Sequence, residues 1–443
     1  MGIVAGGVRA LGCGERALSC SCTARKALPI FQPISAGIVA AITGFATSFA
    51  LVIAGLQAVG ATPGQASSGL LALCLVVAAM CIILPLWLRI PISFAWSTPG
   101  AALLLAAGTT GTFEFSDVVG AFIVCAVLIV LCGLWPALGR WITRIPKPLA
   151  SAMLAGILFP ICLAPFTAIA DPAITLYALP IVLTWLVLFR LAPRWAVPAA
   201  MVVAIGAILV YAGTDWLGDS RIAPHLEFVP PTIDPAVILS IGLPLFIVTM
   251  AGQNVPGIVV MSTFDYTVPP RAALVSSGAA SGIGALFGGH VINLAAITAA
   301  LMASPEAHPD RDKRWIATLT SGVVYLLLGL GAGLASALVT AAPPILITAV
   351  AGLAVLGALI AGITSALEDP RHRVAAIVTF LVVASGVVIL NIGSAFWGLL
   401  MGGVVMLWLS WTRRTPAPAP EESHVESVPA ESPAAEPADT DHA

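Results

Sequence analysis

Apolar runs of about the length that crosses a bilayer fill the chain from Ile34 to Trp411, and short polar turns separate them. A hydrocarbon core of about 30 Å needs about 20 apolar residues per helix, so the pattern predicts about fourteen spans, several of them short or broken. Their approximate limits are 34–57, 67–88, 93–109, 117–138, 148–168, 174–190, 196–212, 236–255, 272–287, 290–303, 314–338, 344–365, 373–389 and 393–412. Two segments break the pattern by placing polar and helix-breaking residues where lipid should lie. One is Ile92-Ser93-Phe94-Ala95-Trp96-Ser97-Thr98-Pro99-Gly100-Ala101, the other Gly288-Gly289-His290-Val291-Ile292-Asn293-Leu294. Irregular backbone at membrane depth is tolerated only where protein buries it or a wet cavity borders it, so each segment predicts an unwound stretch feeding a half-helix. They occupy corresponding positions in the two halves of the chain, which is a sequence pointer to a transporter's substrate site. The loop 213–235 leaves seven spans on either side, and an odd number turns the second half upside down, predicting an inverted repeat.

Composition sharpens the class. Of 443 residues 59% are hydrophobic and 9% charged, where an average soluble protein has roughly 25% charged residues. The chain is therefore expected to be an all-α polytopic membrane protein. With the N-terminus placed inside, 18 of the 19 Lys and Arg residues fall in inside loops or at the two ends, and Arg221 alone falls outside. That asymmetry predicts cytoplasmic termini and an even number of spans in a plasma membrane, most naturally the bacterial inner membrane. Residues 1–30 are basic and lack an apolar signal-peptide core, so they read as a disordered cytoplasmic leader. Residues 413–443 are rich in Pro, Ala and Glu and read as a disordered acidic tail. Between them lies a transporter domain, 31–412, with repeats at about 31–212 and 236–412.

Several chemistries are not supported. Eight cysteines show no CxxC or Cys/His ligand spacing, and five of them lie in predicted spans as small hydrophobes, so neither a metal nor a redox cofactor is expected. There is no phosphate loop and no nucleophile elbow. Paired carboxylates are missing from the spans, so an enzyme is not expected, and nothing suggests a nucleic-acid partner.

Three motifs carry a resemblance. Pro33-Ile34-Ser35-Ala36-Gly37-Ile38-Val39-Ala40-Ala41-Ile42-Thr43-Gly44-Phe45, then Ser93-Phe94-Ala95-Trp96-Ser97-Thr98-Pro99-Gly100, then Ala251-Gly252-Gln253-Asn254-Val255-Pro256-Gly257 together resemble the benzoate:proton symporter family over roughly residues 30–412. More remotely the layout is similar to the nucleobase-ascorbate and sulfate permease transporters. That resemblance implies fourteen segments in two inverted repeats of seven, with segments 3 and 10 starting as short strands. It also implies a core of segments 1–4 and 8–11 moving against a gate of segments 5–7 and 12–14, with a dimer through the gate. The implied substrate is benzoate or a similar small aromatic carboxylate, coupled to protons; a facilitative or channel-like anion pathway is the competing reading.

The residues themselves suit an anion. A half-helix starting at membrane depth presents free N–H groups and a positive dipole end equivalent to about half a charge. Ser97, Thr98 and Gly100 lie at one such end, His290 and Asn293 at the other. Gln253 and Asn254 place two amides in a helix centre that Pro256 and Gly257 loosen. Phe45, Phe49, Phe94 and Trp96 are candidates for a slot that takes an aromatic ring. Among these, Phe45 and Trp96 are the ring contacts chosen for the substrate-binding set, with Ser97, Thr98, Gly100, Gln253, Asn254, His290 and Asn293. Nucleobase carriers place glutamates where this chain has Gln253 and His290 or Asn293, so His290, with its imidazole, becomes the candidate for proton coupling. The alternative is a substrate that carries its own proton as the neutral acid.

Overall fold

A computed structural model of the protein describes residues 31–109, 111–135, 146–213 and 222–411. The predicted leader 1–30 and tail 413–443 lie outside the described residues, as do Arg140, Arg144, Asp215, Asp219 and Arg221 of the predicted loops.

The chain begins with α1 (Phe31–Ala46) and α2 (Phe49–Ala58), two pieces of one apolar run. They part where Thr47 Oγ1 and Ser48 Oγ turn back onto the carbonyls of Thr43 and Gly44 at 2.8 and 2.9 Å, a local competition with the helical ladder that bends helices. Next, α3 (Pro63–Leu88) starts from a capping box in which Thr62 and Gln65 satisfy each other's backbone N–H groups. Strand β1 (Phe94–Trp96) leads into the short α4 (Thr98–Gly108), followed by α5 (Phe115–Leu134), α6 (Lys147–Ala170), α7 (Thr175–Leu191) and α8 (Pro193–Ala212).

The second half opens with α9, Pro235–Thr263, a continuous helix of 29 residues. The predicted span 236–255 is therefore too short: the helix widens into π turns at Ile238–Gly242 and Met250–Asn254, the second next to the loosening expected at Pro256 and Gly257, and runs on past the proline. Then come α10 (Pro270–Ala285), β2 (Ile292–Leu294) and the eight-residue α11 (Ala296–Ala303). The predicted span 314–338 is two helices, α12 (Trp315–Gly329) and α13 (Ala332–Ala341), bent by 57°. Finally α14 (Pro344–Leu367), α15 (Arg373–Ala384) and α16 (Ser394–Trp411) complete the chain. Among the described residues seven helices are long and apolar enough to cross a membrane, or eight if the bent pair counts as one span.

The helices pack in two sets. Around the strands, α10 lies on α5, α12 on α3 and α1, and α2 on α4. Small residues allow the close approach: a Cβ on Gly278 would sit 2.9 Å from Ala126 O, and one on Gly322 would sit 3.0 Å from Ala78 O. In the other set α6 packs against α14 and α15, α7 against α8, and α15 against α16. The sets meet where α4 runs along α6 and α2 faces α14. The connection between the halves folds over the first set: Glu227 N donates to Ser68 Oγ at 2.8 Å, Val229 N to Leu286 O at 2.8 Å and Thr232 N to Ser116 O at 3.1 Å.

Candidate substrate site

The two membrane-depth breaks meet each other. β1 and β2 pair antiparallel with Phe94 opposite Leu294, Ala95 opposite Asn293 and Trp96 opposite Ile292. The ladder extends through Ser97 N to Val291 O and Ala295 N to Ser93 O, each 3.1 Å. Two strands alone would leave open edges in a place without water. Side chains close part of them: Phe94 N donates to Cys81 Sγ at 3.3 Å, Ile292 N to Ser281 Oγ at 3.0 Å and Leu294 N to Asn254 Oδ1 at 2.9 Å.

Each strand delivers the chain to a half-helix. Ser97 caps α4, its Oγ accepting from Gly100 N at 3.0 Å. No side chain caps the first turn of α11, so its leading N–H groups have no side-chain acceptor. A Cβ on Gly100 would lie 2.5 Å from Leu245 Cδ1 and 2.8 Å from Ser97 Oγ. This glycine therefore lets α9 press on the start of α4, and its contribution is to close packing and to the cap.

Gln253 joins the two halves of the site. Its Oε1 accepts from Ser97 Oγ at 2.7 Å and from Asn293 Nδ2 at 2.8 Å. Thr249, one turn earlier on α9, donates to Ser97 Oγ at 3.3 Å. Turned over, the Asn293 amide would instead donate to Leu294 O at 2.9 Å and take the Ser97 N–H at 3.2 Å, so this amide has partners in both orientations. Gln253 is half-buried, and with the Asn293 amide turned over its own amide would face the Asn293 oxygen at 2.8 Å as a donor. The hydroxyl of half-buried Thr98 has no hydrogen-bond partner among the described residues. Asn254 has a different place: it is fully buried, with Oδ1 on the β2 backbone and Nδ2 on Met250 Sδ at 3.3 Å. It braces the π turn that aims Gln253.

Trp96 of β1 belongs to an aromatic row. Phe45 stacks on Phe49 at 5.1 Å and meets Trp96 edge-on at 5.8 Å; Trp96 meets Tyr325 edge-on at 5.5 Å. The indole is fixed by Nε1 donating to Ser48 Oγ at 2.8 Å. Phe94 is buried and makes none of these ring contacts.

His290 is not part of this group. Its ring is fully buried, Nδ1 lies 3.1 Å from Val291 O, Nε2 has no partner, and the nearest ring is Phe122, edge-on at 6.3 Å. Of the predicted residues, the structure thus joins Ser97, Gln253 and Asn293 by hydrogen bonds, with Gly100 at the Ser97 cap and Thr98 next to it, and sets Phe45 against Trp96 in the aromatic row. Sequence reading missed Ser48, Thr249 and Tyr325. Thr249 was signalled by its i−4 spacing from Gln253, and Tyr325 by being the one tyrosine inside the span 314–338. No cluster of His, Cys, Asp and Glu among the described residues could hold a metal.

A bundle of apolar helices in which two strands at membrane depth feed half-helices toward one polar point is a transporter architecture. Solved structures share it. The transmembrane domain of the cyanobacterial bicarbonate transporter BicA matches with a TM-score of 0.51 at 15% identity, covering 86% of this chain and 98% of that one. The murine Slc26a9 anion transporter in its inward-facing state matches with a TM-score of 0.55 at 14% identity, covering 86% of this chain and 68% of that one.

The protein is a multi-pass membrane transporter, and residues 30–408 match the family model described as benzoate membrane transport protein. The chain belongs to that family. It is 42% identical over 376 residues to inner membrane protein YdcO of Escherichia coli (strain K12), covering 85% of this chain and 95% of the relative. It is 32% identical over 327 residues to the benzoate membrane transport protein of Acinetobacter baylyi (strain ATCC 33305 / BD413 / ADP1), covering 72% of this chain and 80% of the relative.

Proposed function

We propose that this protein carries benzoate, or a similar small aromatic carboxylate, across the bacterial inner membrane together with protons. The observation that carries the reading is a hydrogen-bonded polar cluster where the two breaks meet, with an unpartnered Thr98 hydroxyl and, at the start of α11, backbone N–H groups that no side chain caps. Gln253 ties Ser97 to Asn293 across the two breaks. Phe45 and Trp96, which meet edge-on, are the rings proposed to take that of the substrate. A carboxylate would be met by hydrogen bonds of roughly 1.5–3 kcal/mol each, and a phenyl ring by aromatic contacts of about 0.5–1.5 kcal/mol each beyond buried area.

In this reading the transporter domain spans 31–412 as about fourteen membrane segments, with both termini cytoplasmic and repeats near 31–212 and 236–412 inverted on one another. The set around the strands, α1–α5 and α9–α13, is the core that holds substrate, and α6–α8 with α14–α16 is the gate against which it alternates. His290, buried at the start of β2, is the proposed proton carrier.

Uptake of labelled benzoate into proteoliposomes, with and without an inward proton gradient, tests the whole reading. Accumulation above equilibrium is expected with the gradient; equilibration that ignores it would replace coupled uptake by facilitation. His290→Gln, which keeps a polar side chain but cannot titrate, is expected to abolish accumulation and spare benzoate exchange. Accumulation that survives in that variant would give the proton to the substrate itself.

A further inference from the structure

Tyr325 occupies the middle of α12, and 3% of its surface is exposed. Its ring is fixed edge-on against Trp96. Its hydroxyl, alone among the groups of the aromatic row that can donate, has no hydrogen-bond partner among the described residues; the other donor, Trp96 Nε1, is taken by Ser48.

Its position is defined by Gly44. A Cβ on that glycine would stand 2.7 Å from Tyr325 Oη and 3.8 Å from Thr298 Cγ2. The hydroxyl therefore sits in a niche opened by a glycine of α1, beside the third residue of α11, whose first turn has no side-chain cap. An uncapped helix start and, near it, a tyrosine that is buried apart from a hydroxyl with no partner are two independent features that favour the same ligand, an anion with acceptor lone pairs.

We propose that Tyr325 is a substrate-binding residue whose hydroxyl donates to the carboxylate beside the start of α11 while its ring borders the slot for the aromatic ring. The inference rests on the reading of this protein as an aromatic-acid transporter. It adds a contact from the segment after the half-helix, so α12 as well as α4, α9 and α11 reads the substrate. Gly44 is then required because any side chain there would push the hydroxyl out of its niche.

Equilibrium binding of labelled benzoate to the purified full-length protein tests this, with benzamide as the uncharged competitor. Tyr325→Phe keeps the ring and removes the oxygen, and is expected to weaken benzoate roughly ten- to a hundredfold and benzamide much less. Gly44→Ala is expected to weaken benzoate in the otherwise unchanged protein and to add little on top of Tyr325→Phe, because the atom that the new methyl displaces is already gone. Equal losses for benzoate and benzamide, or fully additive losses in the double variant, would show a packing role and overturn the proposal. So would benzoate affinity within about twofold of wild type in Tyr325→Phe. Failure of the wild-type protein to bind benzoate at all would instead overturn the substrate reading, and this inference with it.

Discussion

Ser97 does two tasks with one oxygen. It accepts the Gly100 N–H as the cap of α4 and donates to Gln253 Oε1. Ser97→Ala is therefore expected to lower thermal stability by about 1 kcal/mol through the lost cap and to release the Gln253 amide as well. Thr98→Ala, with no cap to lose, should weaken benzoate about tenfold while leaving the melting temperature unchanged. Melting curves and binding isotherms on the two variants separate the roles, and a Thr98→Ala protein with wild-type affinity would remove that hydroxyl from the site. Gln253→Glu sets a sharper condition. The carboxylate can still accept from Ser97 and Asn293, but it replaces two amide donors by a negative charge facing another. Benzoate affinity measured at neutral pH should fall further than in Gln253→Ala, and should recover in part on acidification as the glutamate regains a proton to donate. Much of this site could be read from the chain, since polar residues in apolar runs stand out. What could not be read was which way each amide faces: Gln253 and Asn254 are neighbours of similar chemistry, and only the packing of β2 on α9 turns one toward Ser97 and Asn293 and the other onto the backbone of β2.

At the scale of elements, α11 is a short helix held at both ends. Its start faces the site, and its last carbonyl, Ala303 O, accepts from Arg314 Nη1 at 2.7 Å, while Arg314 Nε reaches His308 O at 2.8 Å. Arg314 is buried to 7% exposure, and a cation at a helix C-terminus opposes the negative end of the dipole. Arg314→Leu would leave two carbonyls unmet and is expected to cost roughly 2–6 kcal/mol of stability, at about 1–3 kcal/mol per lost bond. A thermal-shift assay checks this; an unchanged melting temperature would mean that water replaces the guanidinium. The strand and half-helix pairs were legible because Ser-Thr-Pro-Gly and Gly-Gly-His cannot continue a helix in lipid. By contrast, the π turn at Met250–Asn254 was legible only in part: Pro256 marks the loosened place, but the wider turn is also braced by tertiary bonds from Asn254 and Gln253 that leave no local trace. Arg314 itself read only as one more inside charge, since a hydrogen bond to a carbonyl eleven residues away leaves no periodic trace.

For the whole molecule, the junction of the two helix sets matters most. A cavity of about 160 Å³ lies there, bounded by Ala106 of α4, Ile157 and Pro160 of α6, Val383 of α15 and Ala395 of α16. If one set travels against the other, this is space that the motion uses. Ala106→Trp should fill it and arrest uptake while benzoate binding persists; uptake at the wild-type rate would mean that α4 does not slide past α6. The make-up of the binding group has an electrical consequence as well. Serine, threonine, glutamine, asparagine and aromatic side chains hold the site, with no Asp, Glu, Lys or Arg among them. In the proposed mechanism the empty site would return across the field without a formal charge, and a carboxylate accompanied by one proton would cross as a neutral pair. Moving a full charge through 100 mV is worth about 2.3 kcal/mol, a contribution from which such a carrier would be exempt. Clamping liposomes at different voltages with a potassium ionophore at constant pH difference should then leave the rate of benzoate uptake unchanged, and no current should accompany it.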